Sequence, residues 1–155
     1  MHNWFECKIR YEKTMENGVN KNVTEPYLVD ALSFTEAEAR IIEEITPFIS
    51  GEFTVTDIKR MKYSDVFSSA DTKADRWFKA KLTFITLDEK SGSEKKTSTN
   101  VLVQAADLRD AVKKLDAAMK GSMADYVIAS MAETPLMDVY EYVAQENDNE
   151  FKNAS

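Results

Sequence analysis

Glycine, proline, cysteine and histidine are all scarce in this chain. Four glycines and three prolines are scattered over 155 residues, so neither a phosphate-cradling loop nor a dinucleotide-binding fingerprint can be assembled from them. A single cysteine, Cys7, forms no internal disulfide. With one histidine, His2, it also falls short of the clustered nitrogen and sulfur ligands that a zinc site needs. A nucleophilic triad needs a histidine with partners, and His2 stands alone near the N-terminus. No run reaches the ~18 apolar residues that span a bilayer. The opening Met1-His2-Asn3-Trp4-Phe5-Glu6 carries charge where a secretory leader would be apolar. These absences give the expectation of a cytoplasmic protein with no membrane contact, no metal and no cofactor.

Basic charge is in short supply as well. The net charge is −7, which lacks the basic footprint of a duplex DNA binder. The imbalance is local. Residues 1–70 carry 8 Lys/Arg against 12 Asp/Glu, residues 71–140 carry 11 against 11, and residues 141–155 carry one against four. A local basic face remains compatible with an acidic whole. Hydrophobic residues at 43% and aromatics at 10% mark a folded chain.

What is present is present twice. Trp4-Phe5-Glu6-Cys7-Lys8-Ile9 returns as Trp77-Phe78-Lys79-Ala80-Lys81-Leu82, each followed by a turn glycine, Gly18 or Gly92. Tyr27-Leu28-Val29-Asp30-Ala31 is echoed by Val101-Leu102-Val103-Gln104-Ala105, and Asp65-Val66-Phe67 by Asp138-Val139-Tyr140. A period of about 70 residues exceeds the solenoid repeats and indicates one small unit duplicated and fused.

Within each copy the periodicity predicts ββαβ. Phe5, Cys7, Ile9 and Tyr11 alternate with charged residues, as do Phe78, Ala80, Leu82 and Phe84, which marks half-buried strands. Cys7 thus takes a small core position, where thiols are inert. Ser33 with Glu36, and Asp107 in the second copy, predict helix N-caps. Phe34, Ala37, Ile41, Ile45 and Phe48 mark one face of the first helix, and Leu108, Ala111, Val112, Leu115 and Met119 one face of the second. Pro47 ends the first helix near Thr46. Third strands are expected over 52–62, with a bulge near Asp57 where the alternation slips phase, and over 125–132. Right-handed crossovers leave the first strand central in each copy.

The expected architecture is therefore α+β: a tandem duplication of ββαβ with pseudo-two-fold symmetry, a largely antiparallel sheet, and two helices packed on one face. One six-stranded sheet and two three-stranded sheets fit equally. The boundaries are 1–67 for the first copy, 68–76 for a linker, 77–142 for the second copy and 143–155 for an acidic, flexible tail.

The outward strand faces carry the chemistry. Trp4, Lys8 and Arg10 share one face, and Trp77, Lys79 and Lys81 the equivalent one, with Lys95 and Lys96 on the second hairpin. An aromatic flanked by cations suits a surface that stacks bases and tracks phosphates. The competing assignment buries each Trp and leaves the lysines to solvate the surface. Asp65 and Asp138 are expected to cap short turns, with the aromatic that follows each packed in the core.

The runs Trp4 to Lys13, Val23 to Ala39, Thr86 to Gly92 and Val103 to Arg109 resemble a family of short Bacteroidales proteins, a domain of unknown function with relatives in Bacteroidales phages and mobile elements. The resemblance implies a gut Bacteroidales or phage source and favours nucleic-acid handling. It supplies no site residues. The expectation is a non-enzymatic binding module that contacts single-stranded nucleic acid. The alternative is an acidic protein-interaction module acting through sheet edges or tail, with homodimerisation through free edges allowed. A third reading is an enzyme with a site at the seam between the copies.

Overall fold

A computed structural model describes residues 2–122 and 125–142, so the acidic tail expected over 143–155 lies outside the described residues. The protein is α+β and mostly sheet, with eight strands and two helices among those residues. The chain divides into two compact units, one running through Met61 and resuming at Asp138, the other spanning Lys62–Met137.

In the first unit β1 (Trp4–Thr14) and β2 (Asn20–Asp30) form a hairpin, followed by α1 (Phe34–Ile45) and β3 (Phe53–Met61). Gly18 holds a φ of 80° at the hairpin turn, a conformation a side chain would strain. β1 lies between β3 and β2, both antiparallel to it, as the crossover argument requires. Its register against β3 shifts between Lys8, opposite Asp57, and Ile9, opposite Val55. Thr56 is left over beside the expected Asp57, and its hydroxyl donates to the Lys8 carbonyl at 3.3 Å. Phe5, Cys7, Ile9 and Val29 face Ala37, Ile41 and Ile45 of α1 in a fully buried cluster.

The second unit repeats the order. β5 (Arg76–Leu87) pairs with β6 (Glu94–Ala105), then α2 (Leu108–Ala118) leads to β7 (Asp125–Glu133) on the other side of β5. The register shifts between Lys81 and Leu82, leaving Ala129 unpaired at the corresponding place. Ala80, Leu82, Val101, Val103 and Leu115 form its core. Both helix caps are as expected: the Ser33 hydroxyl accepts from the Glu36 amide at 3.1 Å, and the Asp107 carboxylate from the Asp110 amide at 2.8 Å.

Three expectations need correcting. Each sheet has four strands, not three: β8 (Val139–Tyr140) completes the order β3-β1-β2-β8, and β4 (Asp65–Phe67) the order β4-β6-β5-β7. The fourth is supplied by the Asp-Val-aromatic segments: β4 lies parallel to β6, and β8 parallel to β2. Asp65 and Asp138 therefore open edge strands and do not cap turns, and the Leu28 amide donates to the Asp138 carbonyl at 3.0 Å. Finally, Phe34 and Phe48 are 53% and 79% exposed and Leu108 is 49% exposed, so the buried helix faces are narrower than the sequence pattern.

The chain thus leaves the first sheet after β3 and at once contributes β4 to the second. After β7 it returns and contributes β8 to the first. The segment 68–76, expected as the linker, makes contacts of its own. The Ser69 amide donates to Gln104 Oε1 at 2.9 Å, and Ala74 is buried.

Candidate interaction surfaces

Strand parity sets Trp4 with Glu6, Lys8 and Arg10 on the face of β1 turned away from α1, and Trp77 with Lys79 and Lys81 on the corresponding face of β5. Both tryptophans are buried, at 3% exposure each. Leu28 and Leu102, on the same faces, are fully buried too. At the Trp end, each sheet is covered on both sides. His2 stacks on Trp4 with centroids 5.5 Å apart. Neither ring is available to stack on a base, which corrects the exposed Trp/Lys platform expected from alternation.

The cations separate into two settings. Lys8 and Arg10 are exposed, but Lys8 is paired opposite Asp57 and Glu6 opposite Lys59, so that face is of mixed sign. In the second unit Lys79, Lys81 and Lys96 share the outward face with Thr83, Ser98, Asn100 and Ser130. None of the three makes an ion pair among the described residues, and acidic residues enter that face only at Glu94 and Asp125. Lys95, opposite Thr86, falls on the other face.

The Cys7 thiol is pushed up to about 12 by burial and by the carboxylates of Glu6, Asp57 and Glu38. It stays protonated and inert at neutral pH. Among the described residues no group of three or more His, Cys, Asp or Glu is arranged to hold a metal ion. Among the described residues Asp30 is the one buried polar residue. It accepts from the Asn3 amide at 3.1 Å and pairs with His2 Nδ1, whose other nitrogen lies 3.3 Å from Glu141. Arg40 donates to the Asp30 carbonyl and lies 4.8 Å over the Tyr142 ring. This cluster fastens the segment after β8 to the first unit.

The second unit fastens the segment that follows its edge strand similarly, through Lys114. Its ammonium lies 2.9 Å from Asp110 and 3.5 Å from Asp71. The hydrogen bond to Asp110 and the nearby carboxylates raise its pKa. Asp110 is lowered by the Ala106 amide first and by Lys114 second, and Asp71 by the Lys73 amide first. A cleft of about 340 Å³ opens between β4, β6 and α2 against Phe67, Ser69, Gln104 and Lys114. Another of about 340 Å³ lies between α1 and β3 against Ile42, Phe53 and Val55.

Two long edges remain, β3 and β7. Such edges present unpaired backbone groups to any incoming strand, and charged side chains protect them. β3 carries Asp57, Lys59 and Arg60, so its longest uncharged run is the four residues Phe53 to Thr56. β7 has charges only at its ends, Asp125 and Glu133, with seven uncharged residues from Tyr126 to Ala132 between them. Val127 on that edge is 52% exposed. Sequence reasoning missed this difference, although the absence of charge from Tyr126 to Ala132 is legible in the sequence.

These features define a two-unit α+β protein whose exposed chemistry lies on a sheet edge and a lysine-bearing sheet face. The chain belongs to the DUF4494 family, a domain of unknown function whose family model matches residues 3–142. No curated protein and no solved structure matches the chain.

Proposed function

We propose that the protein is a non-enzymatic protein-interaction module that accepts an extended segment of a partner along β7. The observation that carries this is the contrast between corresponding edges, β3 interrupted by Asp57, Lys59 and Arg60 and β7 uncharged over seven residues. Backbone hydrogen bonds supply affinity in strand addition, and alternate side chains supply selectivity. Tyr126, Ile128 and Met131 are half-buried on the helix side of β7, so an added strand with apolar residues on that side extends the core. The test is selection of peptides from a displayed random library on the immobilised full chain. Binding of the selected peptides is lost in Val127→Lys and retained in Thr54→Lys on β3. Equal binding to Val127→Lys and wild type contradicts the proposal.

A second reading is contact with single-stranded nucleic acid through Lys79, Lys81 and Lys96. It is favoured by their unpaired ammonium groups on a hydroxyl-lined face. With Trp77 buried, such contact rests on phosphates and is strongly salt-dependent. Val127 shares that face, so Val127→Lys strengthens oligonucleotide binding while weakening strand addition, and one variant separates the two readings.

The paired bulges, caps and edge strands support descent of both units from one duplicated unit. The resemblance to Bacteroidales and phage proteins supports a source in those hosts or their phages, and the charged opening Met1-His2-Asn3-Trp4-Phe5-Glu6 supports action in the cytoplasm.

A further inference from the structure

The cleft beside α2 has a counterpart in the first unit that indicates what fits it. Matching the helices on their N-caps, Ser33 and Asp107, sets Arg40 at the place of Lys114, with Glu43 and Glu44 at the places of Ala117 and Ala118. Matching β8 to β4 sets Asp138-Val139-Tyr140-Glu141-Tyr142 on Asp65-Val66-Phe67-Ser68-Ser69. In the first unit the helix cation is covered by a ring, with the Arg40 guanidinium 4.8 Å over Tyr142. In the second unit the ring is missing, because Ser69 stands where Tyr142 does. Alanines also stand where the first unit has two glutamates, and the cleft of about 340 Å³ opens at that place.

We propose that this cleft is a binding site for an uncharged aromatic ring, seated against Lys114 as Tyr142 is seated against Arg40. The walls suit it. Val66, Phe67 and Val103 supply apolar contact, and Ala117 and Ala118 leave room for a planar group. Lys114 is held in place by Asp110 and Asp71, so its charge is fixed beside the cleft and available to a ring face. The same two carboxylates disfavour an aryl carboxylate or phosphate. Gln104 uses its oxygen on the Ser69 amide. Its NH2 group, with the Ser68 hydroxyl, remains to bond a phenolic oxygen. A phenol is therefore the best match, whether a free molecule or the side chain of a tyrosine-bearing peptide. This site is independent of the β7 edge, and each stands or falls alone.

The test is a titration of the full chain followed by backbone amide NMR, with N-acetyl-tyrosinamide as probe and N-acetyl-leucinamide as the apolar control. The aromatic probe shifts amides in 66–69, 103–104 and 114–118, and the leucine probe does not. Lys114→Met weakens the aromatic probe roughly fivefold, the size of an exposed cation–π contact. Ser69→Tyr, which restores the ring of the first unit, abolishes it. Ala118→Glu on the exposed helix surface does the same should Ser69→Tyr fold poorly. A tripeptide Ac-Ala-Tyr-Ala-NH2 that binds more tightly than N-acetyl-tyrosinamide identifies a peptide ligand, and equal affinity identifies a free phenol. Equal shifts with the leucine probe, shifts confined to other residues, or full binding in a folded cleft-filling variant overturn the proposal.

Discussion

The Tyr140 ring stacks on that of Tyr27, with centroids 6.2 Å apart and planes inclined by 17°, across the two-residue parallel ladder that joins β8 to β2. A ladder this short has little backbone pairing of its own, so side-chain packing holds β8 in place. Tyr140→Ala is expected to destabilise the protein by about 1–3 kcal/mol, below the range for a fully buried aromatic, and to increase amide exchange at Leu28. Stability and exchange rates indistinguishable from wild type would show that β8 is held by something else.

The tyrosines also make the fold sensitive to alkali. Tyr140 is pushed up to about 12 by burial first and by Asp138 second, and Tyr11 to about 12 by burial and its hydrogen bond to Glu25. An unfolded tyrosine titrates near 10, so between about pH 10 and 12 the folded state holds more protons than the unfolded one. Their contribution is complete below pH 10 and declines as pH rises through 12. Urea midpoints should be flat below pH 9.5 on this account and fall from there to pH 11.5. Tyr11→Phe with Tyr140→Phe should reduce the slope, and an unchanged slope would assign the alkaline transition to other groups.

Cys7 is fully buried and its thiol titrates far above neutrality. A thiol reagent at pH 8 should modify it only through opening of the fold, at a rate that rises with urea in step with unfolding. Rapid stoichiometric modification in buffer would contradict the placement of Cys7 under α1.

Ile41 and Leu115 occupy corresponding positions at the centre of the two helix–sheet cores, each at 0% exposure. Truncation of either to alanine should cost about 2–5 kcal/mol, and Trp77→Ala about 3–5 kcal/mol. Lys81→Ala, on the solvated face, should lie within about 0.5 kcal/mol of wild type. Denaturant titration of the four variants measures this directly, and a stable Trp77→Ala protein would restore the exposed platform.

Much of the fold could be read from local pattern. The alternation in β1 and β5, the Ser33 and Asp107 caps and the slip near Asp57 are each set by neighbours within a few residues, and each stands in the structure. The edge strands β4 and β8 were not legible, because two or three residues carry no period and their partners lie far along the chain. Alternation assigned Trp4 and Trp77 to the correct faces but could not say that those faces are covered at the Trp end. A signal was available in Leu28-Val29 and Val101-Leu102-Val103, since strands that are apolar at consecutive positions are buried on both sides, and the tryptophans lie opposite the next residue along, Asp30 and Gln104. The cleft at Lys114 needed the structure, because it arises from what Ser69 and Ala118 lack.

The most direct measurement is hydrogen exchange of the full chain with and without a peptide selected for binding to it. Strand addition at β7 predicts new protection of amides between Tyr126 and Ala132, none along β3, and loss of that protection in Val127→Lys. Protection confined to β3, or binding with no protected amides in β7, would contradict the assignment of β7 as the docking edge.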